Sequence, residues 1–348
     1  MIKQKFLKIV NGQNLNMHDA EYVMRNIMSG RVSPIQIGAI LTALRSKGET
    51  SEEISAFARV LKDFAVQIQS NDPQTIDTCG TGGCAIKTAN VSTTTAFIIA
   101  GLGIPVAKHG NRSVTSKSGS ADVLEYLGLN LNQTPQEVEG SLHSCGICFM
   151  FAPTFHPAMK YAVQPRKDLG IRTVFNILGP LINPANVKYQ VLGVFDPDMT
   201  ETMAKVLRNL GTKHALIVHG IGGLDEISVF GKTKVTELFE ERINTHYLSP
   251  KDFGLEPVKR EQIEKMGTAK ENAEELVAIL NGKKNPVREL ILANAAGALK
   301  AVKNIPYQEG ISLAEESITS GKAYEKLKEF IQYNSGNTAV LDHLEDKL

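Results

Sequence analysis

Tryptophan is absent from this 348-residue sequence, aromatic residues make up only 6% of it, and cysteine occurs four times. So few cysteines in so long a chain exclude a disulfide scaffold. Cys145 and Cys148 form a C-x-x-C pair, but Cys79 and Cys84 upstream have four residues between them. That spacing does not suit a structural zinc site, and the cysteines read as ordinary buried thiols. An excess of one charge is also missing: 38 basic residues against 37 acidic ones leave a net charge of +1. Bulk charge therefore gives no drive toward nucleic acid or an anionic membrane, and any anion site must be local. The longest apolar stretch, Val91 to Ala107, is broken by Ser92, Thr93, Thr94, Thr95 and by later glycine and proline. It reads as a buried helix, a turn and a strand rather than a membrane span. Residues 1–12 hold two short apolar clusters split by lysines, too short for the apolar region of a signal peptide, so the expected location is the cytoplasm. Neither a solenoid-length repeat nor a low-complexity tract is visible.

What is present is the mix of a globular protein, 42% apolar and 22% charged residues. The first 67 residues read as three short amphipathic helices. Asn16 caps the first, with Asp19 in its opening turn and Gly30 past its end. Ser33-Pro34 opens the second, and Thr50-x-x-Glu53 is a capping box for the third. Their apolar stripes need a partner, either the rest of the chain or a second copy. From residue 75 short β-like runs (Ile76–Cys79, Ile104–Ala107, Tyr189–Phe195, Ala215–His219) alternate with helical patterns such as Met199, Met203, Val206, Leu207 and Leu210. This alternation predicts an α/β fold with a mostly parallel central sheet. The expected division places a small N-terminal helical domain at residues 1–68 and a larger α/β domain at 69–348, with the polar stretch Gln69–Gln74 between them.

Chemistry concentrates in the loops. Asp77-Thr78-Cys79-Gly80-Thr81-Gly82-Gly83-Cys84 follows a predicted strand, and its glycines let the backbone pass close to an anion. It is not a dinucleotide fingerprint, because the spacing is wrong and no acid follows at the required distance. Nor is it a Walker A loop, since Ile86 and not glycine precedes Lys87-Thr88. Asn90-Val91-Ser92-Thr93 opens the next helix, where free amides and hydroxyls favour negative charge. Lys108-His109-Gly110-Asn111-Arg112-Ser113 comes after the next predicted strand, and Ser116-Lys117-Ser118-Gly119-Ser120 precedes a helix with Asp122 in its first turn. Two cations among so many donors are equipment for a phosphate-rich ligand. Leu224-Asp225-Glu226 follows the glycine turn Gly220-Ile221-Gly222-Gly223, and adjacent carboxylates suit Mg²⁺ when phosphates complete its shell. Arg166 could fork a carboxylate, ahead of the structured segment Asn176–Pro184. His156, in Phe155-His156-Pro157, reads as a packed structural residue.

Taken in order, Gly80–Gly83, Asn90–Thr93, Lys108–Arg112, Ser118–Gly128, Arg166–Pro184 and Leu224–Ser228 resemble the anthranilate phosphoribosyltransferases, and the likeness runs from the N-terminal helices to about Tyr333. The resemblance implies the nucleoside phosphorylase/phosphoribosyltransferase-like architecture, a cleft with the helical domain as one wall, and a homodimer through the N-terminal helices. It also implies transfer of phosphoribose from phosphoribosyl pyrophosphate (PRPP) to the amine of anthranilate, assisted by Mg²⁺, in tryptophan biosynthesis. Carried over residue by residue, Gly80, Gly83, Cys84, Thr88, Asn90, Val91, Ser92, Thr93, Lys108, Asn111, Ser116 and Ser120 would line the PRPP site. Gly80, His109, Asn111, Arg166 and Pro180 would border anthranilate. Ser92, Asp225 and Glu226 would hold magnesium, and Lys108, Asp225 and Glu226 would act in catalysis. One position departs from the family: its glycine loop ends in aspartate where this chain has Cys84, which removes one possible metal ligand. The rivals are a pyrimidine nucleoside phosphorylase, which shares the architecture but uses phosphate and a nucleoside and against which Lys108-His109-Gly110-Asn111 and the Asp-Glu pair favour PRPP, and a nucleic-acid-binding relative, which would carry a basic groove.

Overall fold

Local capping chemistry sets the amino-terminal helices. Asn16 accepts the Asp19 amide at 2.8 Å, and Ser33 and Thr50 each form a complete capping box with Gln36 and Glu53. The computed structural model describes residues 2–83, 86, 88–113, 117–264, 267–334 and 336–346. It contains four helices here rather than the expected three, α1 (Ile2–Val10), α2 (Met17–Met28), α3 (Pro34–Lys47) and α4 (Ser51–Asp63). The extra one, α1, is the lysine-split segment: Ile9 is buried and Lys5 and Lys8 both reach Asp19 of α2.

The α/β region begins with β1 (Ile76–Gly80) and α5 (Val91–Gly101), then β2 (Val106–Gly110), α6 (Ser120–Tyr126) and α7 (Pro135–Cys145). Next come β3 (Ile147–Phe151), α8 (Ala152–Phe155), α9 (Lys160–Leu169), α10 (Phe175–Leu178), β4 (Tyr189–Gly193) and α11 (Met199–Asn209). After β5 (His214–Gly220) a hairpin of β6 (Thr233–Phe239) and β7 (Arg242–Leu248) extends the sheet. Five helices finish the chain: α12 (Ala269–Leu280), α13 (Pro286–Lys303), α14 (Tyr307–Thr319), α15 (Lys322–Tyr333) and α16 (Ala339–Glu345).

The seven strands lie in the order β3-β2-β1-β4-β5-β6-β7, parallel through β5 and antiparallel beyond it. The expected α/β class and mostly parallel sheet are what the chain forms. Alternate side chains feed opposite cores. Val191, Leu216 and Val218 pack under α5, α6 and the five C-terminal helices. Leu192, Ala215 and Ile217 pack against α11 and the amino-terminal helices, joined by Ala162 of α9 and residues of α10. Cys145 and Cys148 are buried free thiols, 1% and 0% exposed. No helix among the described residues is long and apolar enough to cross a membrane.

Two features position the site. The chain moves from β1 to β2 and β3 on one side, then returns to place β4 on the other side of β1. The β1/β4 boundary is therefore the topological switch point, where such sheets open a crevice beyond their carboxyl ends. The second feature is a seam: β1 matches β4 at five positions but β2 only at Ile76 and Val106. Side chains bridge the remainder. The Asn183 amide donates to Asp77 at 2.9 Å and to the Ala107 carbonyl at 2.8 Å, and Lys108 donates to the Thr78 carbonyl at 2.8 Å.

Candidate active site at the sheet switch point

Gly80 and Gly193 end β1 and β4 and stand opposite each other in register. A Cβ on Gly80 would lie 2.6 Å from Asp225 Oδ2, and one on Gly193 only 1.6 Å from the Asp225 carbonyl oxygen. Both strands thus end in glycine because the loop after β5 lies across them. The Gly82 amide donates to Asp225 Oδ2 at 3.1 Å. Next to it, Glu226 accepts from the Thr88 hydroxyl at 3.1 Å. Burial, followed by the charge of Asp225, pushes the Glu226 carboxyl well above its ordinary range. Two adjacent carboxyl groups with no cationic side chain bonded to them among the described residues form a donor set suited to a hard divalent ion. Among the described residues no cluster of three or more His, Cys, Asp or Glu could hold a metal; the remaining ligands of such an ion would be hydroxyls, water or substrate oxygens.

Lys108 lies beneath this loop. The sequence pattern ends its strand at Ala107, yet β2 runs on through Lys108 and His109, because each polar side chain finds a buried partner on its own face. Lys108 is 3% exposed and donates to the Thr78 carbonyl and, at 3.1 Å, to Ser92 Oγ. Burial lowers its pKa, opposed by the charges of Asp77, Cys79 and Glu226. An ammonium has three protons to donate, so one is left for a ligand. Ser92 is held twice, since its carbonyl accepts the Thr78 hydroxyl at 2.9 Å. It stands in the first turn of α5, where amides lack intrahelical acceptors. Val91 and Thr93 flank it, both with buried side chains. Asn90 precedes them with φ +42°, its side-chain oxygen accepting from Asn272 at 3.0 Å.

On the opposite face of β2, His109 donates to the Gly179 carbonyl, beside buried Pro180, and its ring meets that of His156 edge-on at 4.9 Å. Burial and then His156 push the His109 pKa down to about 3, and burial holds His156 at about 4. Both rings are neutral near pH 7, and each leaves a buried Nε2 without a hydrogen-bond partner among the described residues. Arg166, on α9, lies over the Phe175 ring at 5.3 Å; it has no carboxylate partner among the described residues.

Other expected members stand further out. Asn111 is exposed, and its side-chain oxygen accepts the Arg112 amide at 2.8 Å. Ser120 opens α6, its hydroxyl close against Gly110. No described contact joins Asn111 or Arg166 to the carboxylate cluster. Arg112, read from sequence as an anion-binding cation, is instead engaged by Glu125 at 2.6 and 2.7 Å and by Asp122 at 3.1 Å. Cys84 and Ser116 lie outside the described residues. Sequence reasoning overlooked Gly193, and it left Arg172 without a role. The Arg172 guanidinium donates to the Gly83 carbonyl and covers the Phe195 ring at 4.1 Å, tying the glycine loop to the opposite wall.

Comparisons with known proteins bear on the family and the fold. A model of the glycosyl transferase family, helical bundle domain, matches residues 4–65, and one of the glycosyl transferase family, a/b domain, matches residues 72–324. The anthranilate phosphoribosyltransferase of Acetivibrio thermocellus is 49% identical over 338 residues, 96% of this chain and 97% of that one. The crystal structure of anthranilate phosphoribosyltransferase from Thermus thermophilus is similar with a TM-score of 0.90 at 37% identity, covering 95% of this chain and 99% of that one. The Saccharomyces cerevisiae protein in complex with PRPP and Mg has a TM-score of 0.88 at 32% identity, covering 96% and 98%.

Proposed function

The chain belongs to the anthranilate phosphoribosyltransferases, within the glycosyl transferase family, and from that premise we propose that the crevice beyond β1 and β4 is where PRPP and anthranilate meet. The enzyme transfers the phosphoribosyl group of PRPP to the amine of anthranilate, giving N-(5-phosphoribosyl)anthranilate and pyrophosphate in tryptophan biosynthesis. The observation that carries the site assignment is the register-paired Gly80 and Gly193, which make room for Asp225 at the switch point.

In this reading the glycine loop, Thr88, the first turn of α5 (Asn90 to Thr93), Asn111, Ser116 and Ser120 receive PRPP. Lys108 donates its third N–H as a hydrogen bond to a phosphate oxygen, keeping its proton and its charge, because bond breaking places negative charge on the departing pyrophosphate. Asp225 and Glu226, with the Ser92 hydroxyl, would hold magnesium. When bound, the ion supplies Lewis-acid stabilisation of that leaving group. An arylamine is already neutral and nucleophilic near pH 7, so no strong base is required. His109, a neutral imidazole, adds no positive charge for the anthranilate carboxylate, which leaves Arg166 as its fork-shaped partner, with Gly80, Asn111 and Pro180 nearby.

Residues 1–68 act as one wall of the cleft and, through a second copy of the chain, as the dimer contact. Supporting this are exposed Leu7 and Val10 on α1, Ile35 on α3 and Val163 on adjacent α9. Free thiols at Cys79, Cys145 and Cys148 support residence in the reducing cytoplasm. Anthranilate fluorescence tests the reaction: the purified chain should abolish it only when PRPP and Mg²⁺ are both present. Loss with inorganic phosphate and a nucleoside, or none at all, would defeat the assignment.

A further inference from the structure

Asn294 is the one polar residue in the buried run Leu290–Leu299 of α13 and is 6% exposed. An amide in such surroundings is costly unless its donors and acceptor are satisfied, and they are. Its oxygen accepts the Ile227 amide at 3.0 Å, and its nitrogen donates to the Ile227 carbonyl at 3.1 Å and the Leu290 carbonyl at 2.8 Å. Asn294 thus pairs with both main-chain groups of Ile227, as a neighbouring strand would. One helical turn further along, Gly297 admits the Ile227 side chain so closely that a Cβ there would lie 2.5 Å from Ile227 Cδ1.

Ile227 directly follows Asp225 and Glu226. On the other side of the pair, Leu224 exchanges two main-chain hydrogen bonds with Gly220, at 2.8 and 3.1 Å. Beyond Ile227, the Ser228 amide donates to the Thr233 hydroxyl at 2.8 Å. The two carboxylate residues are therefore a short span between fixed posts, and the downstream post is a side chain from a different helix. We propose that Asn294 is a positioning residue for the Asp225–Glu226 pair, fixing where both carboxylates stand for a divalent cation. This rests on the magnesium reading of that pair.

The test uses the full chain. Mn²⁺ capture is measured by electron paramagnetic resonance with PRPP present and anthranilate absent, so that no turnover occurs. Mg²⁺ titrations of the reaction and thermal unfolding accompany it. Asn294→Ala should weaken Mn²⁺ capture at least tenfold and raise the Mg²⁺ needed for half-maximal rate in parallel, with KM for anthranilate changed less than twofold. Gly297→Ala, which pushes Ile227 from its side-chain end, should shift both readings threefold or more and serves if the first variant does not fold. Asp225→Asn is the reference. If it weakens capture while the folded Asn294 and Gly297 variants bind Mn²⁺ as the wild type does, the positioning role is wrong. If Asp225→Asn itself leaves capture unchanged, the metal reading fails, and this inference with it.

Discussion

Gly193→Ala is the most direct probe of the crevice. The new methyl carbon would lie 1.6 Å from the Asp225 carbonyl oxygen, and real Cβ atoms essentially never approach a neighbour closer than 3.0 Å. Asp225 must then retreat by at least 1.4 Å or β4 must give way. The strand is held by five register pairs to β1 and five to β5, so the loop moves. Displacements of about 1 Å in a reacting array cost on the order of 10²-fold in rate, equivalent to about 2.7 kcal/mol. Turnover followed by anthranilate fluorescence should fall by that factor or more, with a higher Mg²⁺ requirement. Overpacking also costs about 1–3 kcal/mol of stability, so thermal unfolding separates a displaced loop from an unfolded chain. Gly38→Ala is the control, since its nearest neighbour would be 3.9 Å away. A folded Gly193→Ala enzyme with wild-type turnover and an unchanged Mg²⁺ titration would refute the placement of Asp225.

Arg166→Ala should lower kcat/KM for anthranilate by about 2–5 kcal/mol equivalent with PRPP binding little changed, and lysine should rescue poorly because it lacks the planar fork; equal loss for both substrates would contradict the assignment. Glu53 is fully buried and accepts from Lys47 at 2.8 Å, from the Leu15 amide at 2.8 Å and from the Thr50 amide at 2.9 Å. Glu53→Ala takes the carboxylate from a buried Lys47 ammonium, which keeps only the neutral oxygens of Asn14 and Gly48, and should cost about 3–5 kcal/mol in denaturant unfolding; a cost under about 1 kcal/mol, the worth of a surface pair, would argue against it. Hydrogen bonds from Lys5 and Lys8 hold Asp19 down from 3.8 to about 2. A depressed carboxylate stabilises above its ordinary pKa, and that contribution is lost as pH falls through the folded value. Melting curves of wild type and Asp19→Asn should therefore differ by about 1 kcal/mol at pH 6 and converge toward pH 2; a constant offset would dismiss the ion pairs.

Capping was legible because it is chemistry within four residues: Asn16, Ser33 and Thr50 do what their sequence neighbours require. The glycine loop and the Asp-Glu turn were legible as candidate ligand loops for a similar reason. The β6–β7 hairpin was not, because Glu240 and Glu241 make its turn at φ +45° and +69° without the usual glycine or asparagine. Lys108 and His109 read as loop because polar pairs rarely extend a buried strand; their partners on Thr78, Ser92 and Gly179 are visible only in three dimensions. Arg112 read as a free cation since nothing local announces that Glu125 turns back to meet it. Gly193 and Asn294 were silent because the reason for each is a different loop laid against it.

The seam between β1 and β2 has a consequence for how the protein opens. With a single register pair across it, the sheet divides into a two-strand leaf, β2 with β3, and a five-strand leaf from β1 to β7, each with complete main-chain ladders of its own. Cooperative units in native proteins separate along such thin boundaries. Amides of β2 and β3 should exchange with deuterium together, at a lower free energy than those of β4 and β5. Asn183 and Lys108 are the side-chain rivets between the leaves, and replacing Asn183 should speed exchange in the smaller leaf while β4 and β5 keep theirs. Lys108 rides on that leaf while Asp225 and Glu226 lie on the loop after β5 of the other, so uneven exchange across the seam would mean that opening the smaller leaf carries the lysine away from the carboxylates.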